Sequence, residues 1–414
     1  MKARRVIVIG GGPAGLMAAG QAAQAGAQTL LLEKMNRTGL KLCITGKGRC
    51  NITNIAEISD FIFHFGKTGP FLRQAFNRFF NTDLMDFLNE LGLELVTERG
   101  GRVFPASGKA PDVRRVLLQW NKRSQVRIKH LAPVDKILIN DGHVTGVVSQ
   151  GKKLLCDAVI LATGGASYPA TGSTGDGYSL CESAGHTVIP VRQALVPLET
   201  FGDEAKRMDR LNLRNVNVRM LINGKKKREE FGEIVFTEFG MSGPAILTLS
   251  GEAVDSLRSG HKVTFSIDLK PALDEKKLDA RLQRDIASRG KEQVSSFLRG
   301  LVPREMVPVC LDLIGIPADR MVCNISAKER KRLRVWLKDF RLEITGYRPF
   351  AEAIITAGGI DTREIDPRTM ESKKTKGLFI AGELLDIQAD TGGYNLQASF
   401  STGWIAGHSA AQIT

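Results

Sequence analysis

Read as apolar and polar positions, the chain opens with a four-residue apolar run, Val6 to Ile9, a glycine cluster, and a helix-like stretch from Ala14 to about Ala25. A second apolar run, Thr29 to Leu32, follows and ends on Glu33. Short runs that are apolar throughout read as strands buried on both faces, so the pattern predicts strand, turn, helix and strand, the start of a parallel α/β sheet. The same pattern returns at Ala158 to Ala162, ahead of Thr163-Gly164-Gly165, and at Leu378 to Ala381, ahead of Gly382-Glu383. Between these two runs its character changes. Residues 212–240 are polar and strand-like with a turn at Asn223-Gly224, residues 263–273 read as a further strand, and Asp274 to Leu342 reads as short, highly charged helices.

A length of 414 residues exceeds the size at which one core usually stops growing, so two or three domains are expected. No apolar run is long enough to cross a bilayer, and the N-terminal run passes into glycines without a cleavage site. The expectation is a cytoplasmic protein whose N-terminus belongs to the fold. Cysteines at 43, 50, 156, 181, 310 and 323 form no CxxC pair, and no histidine spacing suits a metal, so reduced thiols and no metal site are expected. The net charge of +14 is concentrated in 121–130, 225–228 and 328–338. Such runs attract polyanions, RNA among them, or simply solvate helix faces and turns.

The glycines carry the chemistry. Gly10, Gly12 and Gly15, with Pro13 and Ala14 opening the helix, allow a tight turn and the approach of a pyrophosphate to the helix N-terminus. Glu33, followed by Lys34, ends the next strand, where its carboxylate accepts hydrogen bonds from an unphosphorylated adenosine ribose. Thr163-Gly164-Gly165 is the turn by which two-part FAD folds return to the adenosine half. Gly382, Glu383 and Asp386 bring backbone N–H groups and acids to the pyrophosphate and ribityl chain. Gly392-Gly393 form a bend, after which Tyr394, Asn395 and Leu396 start a last helix whose positive end faces the flavin ring. FAD is therefore the expected cofactor. No second glycine fingerprint serves a pyridine nucleotide, so NAD(P)H is expected only as a transient electron donor.

The segments TGLKLCITGKGRCNITN (38–54), TEFGMSGPAIL (237–247), EAIITAGGI (352–360) and AGELLDIQADTGGYNLQ (381–397) resemble the signature segments of the BaiN/RdsA family of bacterial NAD(P)/FAD-dependent oxidoreductases. The resemblance implies a two-part Rossmann-like FAD-binding domain, 1–190 and 346–414, interrupted by an inserted β-barrel domain with a small helical subdomain at 191–345. It also implies substrates that range from small amines and carbonyls to a ribosomal RNA uridine. Thr45 stands where the family carries serine, and Ala389-Asp390 where a glycine-rich or apolar pair is common.

In segment 38–54, Gly46 and Gly48 permit an extended loop beside the flavin, with Asn51 among the cofactor contacts. Lys41, Lys47 and Arg49 are placed to neutralise its phosphates or its reduced ring. Cys50 and Tyr394 are the catalytic candidates; the C-x6-C spacing of Cys43 and Cys50 breaks the geometry of a redox disulfide. Three readings follow. An FAD oxidoreductase acting on an RNA uridine is favoured over one acting on a small molecule, and a flavin-bearing RNA-binding or redox-sensing protein is the third. The oligomeric state is not legible. In the RNA reading, Lys225, Lys226, Lys227 and Arg228 lie in a turn, and Arg330, Lys331 and Arg334 share a helical stretch from which they grip phosphates.

Overall fold

The computed structural model describes residues 3–412, which form two compact units. One takes in the described residues up to Gln193 together with those from Phe350 onward, the other Ala194–Pro349. No helix of the described residues is long and apolar enough to cross a membrane.

The first unit centres on a parallel sheet of β1 (Arg5–Ile9), β2 (Gln28–Leu32), β3 (Arg127–Lys129), β4 (Ala158–Leu161) and β5 (Leu378–Ile380), in the order β5-β4-β1-β2-β3. Every residue of β4 and β5 is fully buried, as strands covered on both faces require. Helix α1 (Pro13–Gln24) links β1 to β2, with Pro13 at its first turn, where no backbone N–H is needed. A helix-rich segment begins with α2 (Ile58–His64), and Phe61 packs edge-on against Phe76 and Phe80 at 5.5 and 4.9 Å. Helix α3 (Ala110–Arg123) lays Trp120 so close to α1 that a methyl group on Gly20 would fall 2.1 Å from the indole.

Helix α4 (Tyr394–Gln412) packs on α1 more tightly still. A methyl group on Gly403 would sit 2.4 Å from the Ala14 carbonyl oxygen, and one on Gly407 2.3 Å from that of Ala18. The repeat of four residues on both helices puts all four positions on one contact line.

The second unit holds a closed barrel of strands Leu198–Thr200, Gly240–Ser242, Lys225–Thr237, Asn212–Ile222, Val263–Asp268 and Phe340–Tyr347. Alternate residues fill it: Val263, Phe265 and Ile267 from one strand, Phe340, Leu342 and Ile344 from another. Residues 340–342, expected in a helix, thus belong to a strand, because period-two burial overrides the charged run before them. Ile222 pairs with Lys225 across Asn223-Gly224, whose φ angles of 50° and 80° suit a two-residue hairpin turn. Lys225, Lys226, Lys227 and Arg228 therefore lie on a strand rather than in the turn.

The basic helix Ala327–Lys338 differs from expectation in its partners. Arg330 and Arg334 reach Asp279 on helix Glu275–Ser288 at 3.2 and 3.5 Å, and Lys338 reaches Asp268 at 2.6 Å. These cations fasten neighbouring elements, and of the three named phosphate contacts only Lys331 is exposed.

Replacing Gly407 with Leu should force α1 and α4 apart at a cost of about 1–3 kcal/mol, lowering the melting temperature by roughly 2–10 °C. Thermal denaturation measures it, and an unchanged transition would mean that the helices separate freely.

Candidate functional site

The glycine turn between β1 and α1 is shaped by contacts that admit no side chain. Gly10 has φ 99°, and a methyl group there would lie 2.5 Å from the Ala162 carbonyl oxygen. Gly12 caps α1 without a side chain, the first turn carries no acid, and nothing stands within 4 Å of where a Gly12 side chain would begin. The helix start is therefore an open cradle of N–H groups suited to an anion. Glu33, 8% exposed at the end of β2, accepts from the Gly11 N–H and the Met35 N–H, each at 2.8 Å. Its carboxylate is fixed at the turn, and each oxygen keeps capacity to accept from a ribose hydroxyl. Lys34 instead donates to Thr174 at 2.5 Å and Asp176 at 2.8 Å.

Lys41 and Glu383, 342 residues apart, meet in an ion pair of 2.7 Å. Glu383 also accepts from the Thr356 N–H at 2.8 Å and the Ser167 hydroxyl at 3.1 Å, and Lys41 donates to Ser167 at 2.5 Å. Much of the Lys41 charge is thus answered within the protein. Burial pushes the Asp386 carboxyl up, an effect opposed by Arg192 and reinforced by Asp361. In the adjoining turn, a methyl group on Gly165 would fall 2.4 Å from the Thr356 hydroxyl, and Gly164 has φ 75°.

The loop of residues 38–54 differs from expectation at two positions. Arg49 pairs with Glu98 and lies 4.3 Å over the Phe104 ring, so local partners take the charge expected to face the cofactor. Cys50 is fully buried, and burial pushes its thiol far up. A thiol buried this completely and held protonated by burial is a packing group. Gly46 and Gly48 both have positive φ, and all six cysteines are free.

Gly392 and Gly393, at φ 142° and 100°, form the bend before α4, and a methyl group on Gly393 would strike the Thr53 carbonyl at 2.4 Å. Asn395 spends its amide on the loop, accepting from the Ala389 N–H at 2.9 Å and donating to the Ala389 and Asp390 carbonyls at 3.0 and 3.3 Å. Only its backbone remains for a cofactor. Tyr394 is 7% exposed, with Phe61 edge-on at 4.7 Å and His64 stacked at 4.1 Å. His64 lies 3.2 Å from Asp390, a neighbour 326 residues away that no local spacing announces.

FAD is the group these residues have to fit. Thr38 Oγ1, Asn51 Oδ1 and Thr163 Oγ1 are buried without a hydrogen-bond partner. Thr38 and Thr163 flank the glycine turn: methyl groups on Gly11 and Gly10 would touch them at 2.4 and 2.9 Å. Unanswered polar atoms beside an uncapped helix start and a fixed carboxylate match a polar nucleotide.

The sequence pattern of the HI0933-like protein Rossmann domain matches residues 4–409. The chain is 31% identical over 411 residues, 99% of both chains, to a 3-dehydro-bile acid delta(4,6)-reductase of Clostridium scindens. It is 30% identical over 403 residues, 96% of both chains, to the ribosomal RNA dihydrouridine synthase of Escherichia coli. Among solved structures, a flavocytochrome c3 fumarate reductase in its open conformation superposes with a TM-score of 0.52 at 17% identity, over 99% of this chain and 78% of that one, a likeness of fold.

Glu33→Ala should weaken FAD retention by about 1.5–3 kcal/mol, roughly ten- to a hundredfold, as read by equilibrium dialysis. Full retention would remove Glu33 from the nucleotide site. Cys43→Ser should leave the flavin midpoint potential where it is; a displaced potential would restore a dithiol role.

Proposed function

Because this chain belongs to the HI0933-like protein Rossmann domain family and is an FAD-dependent oxidoreductase, we propose that it reduces a carbon–carbon double bond next to a carbonyl. The favoured acceptor is a uridine of ribosomal RNA, in the cytoplasm, with NAD(P)H as the electron source. When bound, FAD supplies the hydride. Residues 10–15 would hold its pyrophosphate at the α1 N-terminus, Glu33 would accept from the ribose, and the positive end of α4 would favour added negative charge on the ring.

The observation that carries this reading is the end-to-end likeness to two proteins, a bile-acid reductase and a ribosomal RNA dihydrouridine synthase, whose names both describe adding hydrogen across a double bond. The excess of positive charge favours the RNA acceptor. Lys122, Arg123, Arg127 and Lys129 are exposed in the first unit and enter no ion pair with a described residue, while Lys225, Lys226 and Lys227 are exposed on the barrel hairpin. The second reading, a small unsaturated ketone, has its support in the bile-acid reductase, at 31% identity.

The test is a comparison of modified bases in ribosomal RNA from cells with and without this protein. One dihydrouridine should disappear with the gene, and an unchanged set would move the small-molecule acceptor ahead. In a salt series of RNA binding, neutralising 122, 123, 127 and 129, or separately 225–227, should flatten log K against log salt by about 0.7–0.9 per lost contact. Equal slopes would make both clusters solvated faces only.

A further inference from the structure

The loop entering α4 joins three side chains that lie far apart in sequence. His64, the last residue of α2, faces Asp390 through Nδ1 at 3.2 Å, and its ring stacks on Tyr394 at 4.1 Å and 21°. Asp390 is held in place through the Asn395 amide, which grips both Ala389 and the Asp390 carbonyl. Tyr394 is steadied from the other side by Phe61, 4.7 Å away and nearly perpendicular. The imidazole is thus fixed on one nitrogen and one face. Its Nε2 makes no hydrogen bond to any described residue, and the side chain remains 28% exposed.

A histidine that merely caps the end of a helix has no need of a fixed carboxylate on Nδ1. A carboxylate there accepts from Nδ1–H, so the proton available for donation on Nε2 is that of the imidazolium, pointing away from the carboxylate. The cluster also sits at the start of α4, beside the Gly392-Gly393 bend assigned to the flavin end of the site. We propose that His64 is the proton donor of the reduction, with Asp390 and Tyr394 as positioning residues. The proposal rests on the double-bond reading above.

The hydrogens balance as follows for a uracil ring. C6 receives two electrons and one hydrogen as the hydride that bound FAD supplies. The C5=C6 π pair becomes a new C5–H bond by taking the proton from His64 Nε2–H. The N–H bonding pair stays on the ring, which leaves neutral imidazole, and solvent at its exposed edge restores the proton. Asp390 keeps its charge throughout. The other titratable neighbours are Asp60 on α2 and the Tyr394 hydroxyl on α4. Burial, with Asp60 and Asp390 nearby, pushes the Tyr394 hydroxyl up, which makes it the weaker acid of the pair.

The experiment uses FAD-loaded wild type, H64Q, D390N and Y394F with NADPH in heavy water. The acceptors are a ribosomal RNA transcript and a 3-dehydro-4,6-diene bile acid. Nuclear magnetic resonance of the product locates deuterium at the carbon that receives the proton. Wild type should label one face only. H64Q should be slower by roughly 10²–10⁴-fold and label both faces, because solvent then protonates without direction. D390N should slow the same step by about tenfold and keep single-face labelling, and Y394F should also keep it. FAD content and melting temperature report folding for each variant; should H64Q unfold, a D390N rate equal to wild type overturns the proposal. If wild type reduces either acceptor and H64Q matches it in rate and labelling, His64 is not the donor. If wild type reduces neither, the double-bond reading itself fails and the proposal goes with it.

Discussion

The first unit depends on one steric fact: the backbones of α1 and α4 touch. Gly403 and Gly407 leave room for the carbonyls of Ala14 and Ala18, and Gly382 does the same toward the Ala14 side chain, where a methyl group would fall at 2.8 Å. Because Ala14 faces Gly403 and Ala18 faces Gly407, the two helices run in the same direction along the contact. Helix α4 begins at Tyr394, nine residues before Gly403. Gly403 is level with Ala14, one residue into α1, so the start of α4 lies about 12 Å beyond the start of α1, at 1.5 Å per residue. Two positive helix ends staggered by that distance suit a ligand with phosphates at one end and an electron-accepting ring at the other.

What the sequence made legible is what adjacent residues decide. The glycine turn, the Thr163-Gly164-Gly165 turn and the terminal strand, bend and helix each lie within a short window, and the parallel sheet formed as their apolar runs imply. Ion pairs across the fold have no such window. Lys41 meets Glu383 and His64 meets Asp390 only because β5 and α4 return to the N-terminal half, and no spacing in the chain encodes that return. Arg49 shows the same limit. Its sequence neighbours are glycines and a loop, while its partners, Glu98 and Phe104, come from a small sheet that pairs with the same segment.

Charge shows the same limit from another side. A formal excess of +14 says nothing about which cations are already answered. In helix Ala327–Lys338, Arg330, Arg334 and Lys338 hold the helix to Asp279 and Asp268, so a run that looks like a polyanion grip acts as internal fastening. At Lys122 to Lys129, by contrast, a helix end and an edge strand expose their cations, which form no ion pair with a described residue. Burial and pairing, rather than residue counts, separate the two cases.

The contact between α1 and α4 also fixes an order of events during synthesis. The glycine turn, its helix and the Glu33 strand leave the ribosome first, yet the surface that covers α1 belongs to residues 394–412. Until those residues emerge, the apolar flank of α1 at Ala14 and Ala18 has no partner, and the second half of the nucleotide cradle does not exist. The nascent chain must hold an unfinished Rossmann half while the barrel unit forms in the interval. Cofactor capture is then among the last steps of folding, and a messenger cut short by a few dozen codons yields a protein that cannot assemble its site.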